Sequence, residues 1–432
     1  MTAEIAILNK SAVALAADSA VTIQVAGGQK IYNTVNKLFT LSKFQPVGAM
    51  VYGSAEFMAV PWESVIKEQR RALKDTKYKT LREYADGFLA WLASANLLFP
   101  PAIQEQIFRG NISGYFQQLK QEINKRVASL IQSSEVVDDT RIRRIVHEII
   151  SEQKQRWLSL PRLPTARPNF EHDFLTRHAA TIDEIRRSVF QALPITDEDA
   201  ASLTETVGAY YSKDYFGPAA SGLIIADFGT DDVFPSLVHF AIETLLDADL
   251  KWKQVEVASI DHFNNNATII PFAQREMVDT FLSGVDPTYK QTVLQALDGI
   301  LRASIQELFG AIPDTALPNK AQLIATLTQR FPQLMTTFNR TLDEYSRNRH
   351  ISPVLNAVAA LPKDDLAAMA ESLVNLTSFK RRISTEAETV GGQIDVAVIS
   401  KGDGFIWIKR KHYFDAGKNP HFIANYYGDE KS

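Results

Sequence analysis

The sequence predicts an α+β protein in which one core is assembled from separated stretches of chain and carries two large helical insertions. Three observations point there. Strand-like segments stand at both ends and in the middle of the 432 residues, two long helical blocks separate them, and no internal repeat or low-complexity linker divides the chain. The expected division is a first core part over 2–74, a helical insertion over 75–215, a second core part over 216–284, a second insertion over 285–355, and a last core part over 356–432 holding a helix and a strand pair.

The opening alternates between strand formers and small residues. Glu4-Ile5-Ala6-Ile7-Leu8, the turn Asn9-Lys10-Ser11 and Ala12-Val13-Ala14-Leu15-Ala16-Ala17-Asp18 read as a hairpin that starts within two residues of Thr2. Lys30-Ile31-Tyr32, Lys37–Leu41 and Val47–Tyr52 read as further strands. From Phe57 onward the spacing of Val60, Val65 and Ile66 reads as helical through Leu73. Helical periodicity then dominates to Ser212, over Leu81–Leu98, Ile103–Ile131, Asp138–Leu160 and Ile182–Leu193. Strands return at Ser221–Phe228, Ser236–Glu243, Val255–Ile260 and Ala267–Phe272. A helix begins at Met277, a second helical block spans Tyr289–Arg347, and Asp364–Leu376 is strongly helical. Ile394–Ile399 and Phe405–Ile408, joined through Gly402-Asp403-Gly404, read as a closing hairpin.

Composition excludes several classes. A formal net charge of −4 gives no basic surplus for nucleic acid or an anionic membrane. The absence of cysteine removes disulfides, thiolate metal sites and a cysteine nucleophile, and fits a reducing, cytoplasmic location. The apolar stretch Gly87–Ile103 is too short and too broken by Asn96, Pro100 and Pro101 to span a bilayer. The eight histidines lack metal-ligand spacing, Glu171-His172-Asp173 reads as polar surface, and Ala26-Gly27-Gly28 lacks the continuation of a phosphate loop. No metal and no organic cofactor is expected.

Chemistry enters at Thr2. Methionine removal acts where the second residue is small, so Thr2 is expected to acquire a free α-amine with a pKa of about 7.7–8.0. That amine can accept the proton of its own residue's hydroxyl, which places nucleophile and base on one residue. The pattern Thr2-x-x-Ile5-x-Ile7, a turn, then Val13-x-Leu15-Ala16-Ala17-Asp18-Ser19-x-x-Thr22 resembles the opening of proteasome β-type subunits and the related bacterial two-ring peptidase, where nucleophile and aspartate stand sixteen positions apart, as Thr2 and Asp18 do. Lys37-Leu38-Phe39 matches the family's lysine before two apolar residues. Gly48–Ala55 matches its apolar strand ending in glycine, and Gly391-Gly392 through Ile399 with Gly402-Asp403-Gly404 resembles its last strand pair.

The resemblance implies a four-layer αββα sandwich of the N-terminal-nucleophile hydrolase type and cleavage of a peptide or amide bond through a threonyl acyl-enzyme. Thr2 would attack, Lys37 would lower the proton affinity of its hydroxyl and amine, Asp18 would hold Lys37, and the N–H of Gly53 would serve the oxyanion. Lys30 is a rival for the lysine role but lacks the Leu-Phe pair. Val21, Val35, Val51 and Ala55 would line an apolar pocket beside the nucleophile. The family's supporting serine corresponds to the stretch Ile269–Gln274, where Gln274 is expected to substitute through its amide. Ala387 and Val390 occupy the positions of its second supporting pair, with Glu386, Glu388 or Thr389 taking over after a local shift. The implied partners are a polypeptide or small amide substrate and further copies of the chain, with any regulatory ATPase left open. Two alternatives stand beside this reading: a catalytically silent ring or scaffold subunit, which would ignore Thr2→Ala, and an amidase acting on a small non-peptide amide.

Overall fold

The computed structural model describes every residue except 1, 26–27, 134–137, 314–315, 385–389, 413 and 422–432. It is an α+β protein with antiparallel sheets. The chain divides into two compact units, one of Met1–Tyr52, Ala226–Leu237 and Ala258–Ser432, the other of Gly53–Ile225 and Val238–Val257. The passages between them fall inside strands.

In chain order the first segment supplies β1 (Ala3–Asn9), β2 (Val13–Ala17), β3 (Val21–Val25), β4 (Gly28–Tyr32), β5 (Leu38–Thr40) and β6 (Val47–Gly53). The second unit continues with β7 (Glu56–Phe57), β8 (Val60–Pro61), α1 (Trp62–Leu73), α2 (Leu81–Ser94), α3 (Pro101–Gln132), α4 (Asp139–Ser159), α5 (Phe170–Phe190) and α6 (Asp197–Ser212). Then come β9 (Ser221–Asp227), β10 (Ser236–Leu246), β11 (Asp249–Ser259) and β12 (Ala267–Ala273). The remainder is α7 (Glu276–Ser283), α8 (Pro287–Gly310), α9 (Lys320–Ser346), α10 (Ser352–Ala360), α11 (Lys363–Ile383), β13 (Asp395–Ser400) and β14 (Gly404–Lys409).

The sheet that organises the first unit runs β12-β1-β2-β13-β14. Its register pairs Glu4 with Ala17 and with Phe272, and Asp395 with Ala17. Because side chains alternate across a strand, Ala3, Ile5 and Ile7 of β1 share a face with Ala14 and Ala16 of β2 and Val396 and Val398 of β13. That face packs against α11, whose Leu366, Ala367, Ala370, Leu373 and Val374 recur with helical spacing. Small residues on β2 let the helix approach closely, and each fully buried leucine or valine contributes roughly 1.5–3 kcal/mol. Asn9 closes the β1 end of this layer by donating to the carbonyls of Val358 and Leu361 at 3.0 and 2.9 Å. The other face meets β6: a Cβ at Gly48 would lie 2.7 Å from Ile399 Cδ1 and 2.9 Å from Phe405, so glycine permits the contact. Glu4 belongs by alternation to this second face, and Thr2 stands one residue ahead of β1.

The second unit is built on the bundle α3–α6, whose core includes Phe108, Phe116, Phe174, Ile182 and Leu203. Helix α6 starts at a reciprocal capping box in which Thr196 and Asp199 satisfy each other's backbone N–H groups. A buried ion pair, Glu243 on β10 with Lys251 on β11, lies 2.7 Å apart, and both side chains are only 2% exposed. Its ammonium sits 4.3 Å from the Tyr210 ring centre.

Several elements differ from the sequence expectation for identifiable reasons. Phe57 and Val60 do not begin a helix; they form the short β7–β8 hairpin, with Met58 and Ala59 at φ +52° and +62°. Strands β10 and β11 run on to a tight turn at Asp247-Ala248, both residues at positive φ. Lys251 and Lys253 had broken the apolar pattern there. Helix α5 begins at Phe170, so Glu171-His172-Asp173 forms its first turn, where acidic groups suit the N-terminal dipole. Among the described residues no helix is long and apolar enough to cross a membrane.

Candidate functional site

The site begins where β1 and β2 end side by side. Asp18 follows β2, is fully buried, and takes four donors. Its Oδ1 accepts from the Ala3 N–H at 3.1 Å and from Lys37 Nζ at 2.5 Å, and its Oδ2 accepts from the N–H groups of Ala20 and Gly391 at 3.2 and 2.9 Å. One carboxylate therefore ties together the start of β1, the lysine ahead of β5 and the glycine pair ahead of β13. Lys37 is 4% exposed, and its carbonyl accepts from the Val51 N–H at 2.9 Å, which anchors it to β6. Burying such a pair is costly unless geometry and further hydrogen bonds are good, and here Asp18 has them.

Thr2 is 4% exposed, and its hydroxyl has no hydrogen-bond partner among the described residues. Its carbonyl accepts from the Gln274 N–H at 3.2 Å. Gln274 thus reaches Thr2 through its backbone, while its amide oxygen accepts from Arg381 Nε at 2.6 Å. Gly391 also returns its carbonyl to the Ser19 N–H at 3.1 Å. The neighbouring Gly392 stands at φ +78°, and a Cβ there would meet the Asn33 carbonyl oxygen at 2.8 Å, so only glycine closes this loop without strain.

The sequence expectation missed Glu4. It is fully buried two residues after Thr2, its carboxylate is 3.9 Å from Lys37 Nζ, and neither of its oxygens has a hydrogen-bond partner among the described residues. Burial pushes its pKa up to about 8; Lys37 opposes that rise, Asp18 adds to it, and the Thr2 side chain opposes it slightly. The Thr2 hydroxyl is thus close enough to influence Glu4 without an aligned hydrogen bond. A lone acid inside an otherwise apolar strand was the available signal. Beyond it, Asp395 and Lys411 form a second buried pair, with the Lys411 N–H 2.8 Å from Asp395 Oδ1. Burial lowers the Lys411 pKa, Asp395 opposes this, and Lys37 and Asp18 both act on it.

Lys30, the rival lysine, is exposed and lies over the Tyr32 ring. Val21 and Val51 are buried and Val35 is half-buried, its N–H donating to the Ser19 carbonyl at 3.2 Å. Gly53 and Ala55 fall in the second unit. Gly53 is exposed at φ +83°, and a Cβ there would meet the Ala220 carbonyl oxygen at 2.6 Å. Glu386, Glu388 and Thr389 lie outside the described residues. Val390, one of the positions counted against the family's supporting pair, is an apolar member of the core under α11. Among the described residues no group of three or more metal-ligating side chains is placed to hold an ion.

No family model matches this chain, and no curated protein matches it.

Proposed function

We propose that the chain is a proteasome-like N-terminal threonine hydrolase with a four-layer αββα core, cleaving peptide or amide bonds through a threonyl acyl-enzyme after removal of Met1. The observation that carries the reading is the Asp18 carboxylate, which holds the backbone next to Thr2 and the Lys37 ammonium at once. Ala3, next to Thr2, Lys37 and Gly391 all meet that one carboxylate.

The chemistry follows from that arrangement. Thr2 Oγ attacks the carbonyl carbon, and the buried ammonium of Lys37 favours the negative charge that develops on Oγ as its proton leaves. Asp18, held by four donors, fixes the Lys37 side chain and prevents it from swinging away. The leaving amine departs, and water then hydrolyses the Thr2 ester. Val21, Val35 and Val51 suit an uncharged side chain ahead of the scissile bond.

Hydrolysis of a fluorogenic peptide-amide panel by the full chain, compared with Thr2→Ala and Thr2→Ser, tests this. Turnover lost in Thr2→Ala and partly kept in Thr2→Ser supports the reading. Turnover of compact amides alone would point to a small-molecule amidase. Equal behaviour of wild type and Thr2→Ala would leave the silent-subunit alternative.

A further inference from the structure

We infer that Glu4 is the base that takes the Thr2 hydroxyl proton, a role the sequence comparison had left to the Thr2 amine and its missing support. This inference rests on the threonine-hydrolase reading above. It comes first from comparing the side chains of this region as proton acceptors, the alternative to the Thr2 amine. Asp18 has both oxygens engaged by Ala3, Ala20, Gly391 and Lys37, so it can accept a proton only by releasing one of them. Lys37, as an ammonium, donates and cannot accept. The Gln274 amide oxygen is held by Arg381. Asp395 is committed to the backbone and ammonium of Lys411.

Glu4 is different on each count. It is the second residue of β1, and Thr2 stands just ahead of that strand, two residues before Glu4, the alternation distance of extended chain. Both its oxygens are without hydrogen bonds among the described residues, so lone pairs are available, and the Lys37 ammonium at 3.9 Å stabilises its ionised form. Two carboxyl groups share one nearby ammonium, which leaves one of them readily protonated. Asp18 holds four donors, so Glu4 is the one that carries the exchangeable proton. A proton affinity near working pH is what general-base catalysis favours, and Glu4, at about 8, has it.

The steps balance without any co-reactant but water. The Oγ–H proton moves to Glu4 as the Oγ–C bond forms and the carbonyl electron pair moves to oxygen. On collapse the C–N bond breaks and the leaving nitrogen takes the proton from Glu4. Water then attacks the Thr2 ester and gives a proton to Glu4. When the Oγ–C bond breaks, that proton returns to Thr2.

The test is the rate of Thr2 acylation by a β-lactone probe, followed by intact mass on the full chain from about pH 6 to about pH 10, in wild type, Glu4→Gln and Glu4→Asp. Wild type should show a rising limb centred near the Glu4 pKa. Glu4→Gln should lose that limb and slow acylation by roughly 10²–10⁴-fold, and Glu4→Asp should keep the limb at reduced rate. Thermal melting confirms that the variants are folded. If wild type acylates at Thr2 and Glu4→Gln retains both the rate within about threefold and the limb, Glu4 is not the base while the hydrolase reading stands. If wild type itself gives no Thr2 adduct, the hydrolase reading fails and the role assigned to Glu4 falls with it.

Discussion

Replacing Glu4 with glutamine should make the folded protein more stable above about pH 5, although the same change removes the proposed base. Glu4 is fully buried, and its pKa rises from an ordinary 4.5 to about 8. Below 4.5 the carboxyl is protonated in both folded and unfolded chains and contributes no pH dependence. Between 4.5 and 8 the unfolded chain releases this proton and the folded chain keeps it, so wild-type stability falls as pH rises. Above 8 the difference is constant. The gap corresponds to a ceiling of about 5 kcal/mol, since each pKa unit is worth about 1.4 kcal/mol. Glutamine has nearly the same shape and never ionises, so its advantage over glutamate should grow from near zero at pH 4.5 to a few kcal/mol at pH 8. Urea unfolding of both proteins at several pH values measures it. A stability difference that does not change with pH would show that Glu4 is not buried as a neutral acid.

The other buried groups make equally direct predictions. Lys37→Met leaves Asp18 buried without its cation; it should cost about 3–5 kcal/mol in chemical unfolding and sharply slow acylation at Thr2. Gly392→Ala must hold φ +78° and meet the Asn33 carbonyl, so a loss of about 1–3 kcal/mol is expected, read as a lowered melting temperature with Asp18 losing its Gly391 donor. In the second unit, Lys251→Met alone should destabilise by about 3–5 kcal/mol because Glu243 stays buried without its cation. The double variant with Glu243→Gln should recover much of that loss in a double-mutant cycle.

The Asp18–Lys37 pair was legible because its members stand nineteen positions apart, Asp18 closing the first hairpin and Lys37 just ahead of β5. Glu4 was not, because an acid in an alternating strand looks like a solvent-facing residue until it is known that β6 packs over the same sheet face. The β10–β11 turn was hidden for a related reason. Asp247-Ala248 carries no glycine, and Lys251 reads as exposed until its partner Glu243 on the opposing strand is seen. Periodicity alone identified α11, since its apolar spacing survives without knowledge of the sheet it covers. Local pattern thus found elements and pairs close in sequence, while groups whose meaning depends on a distant layer needed the fold.

Everything proposed for this chain depends on Thr2 becoming a reactive first residue beside Lys37. Intact-mass analysis with peptide mapping, after incubation with an electrophile that reacts jointly with a hydroxyl and an adjacent amine, tests that directly. Met1 should be absent and a single adduct should sit on Thr2, lost in Thr2→Ala and strongly reduced in Lys37→Met. Met1 retained with no adduct at Thr2 would contradict it.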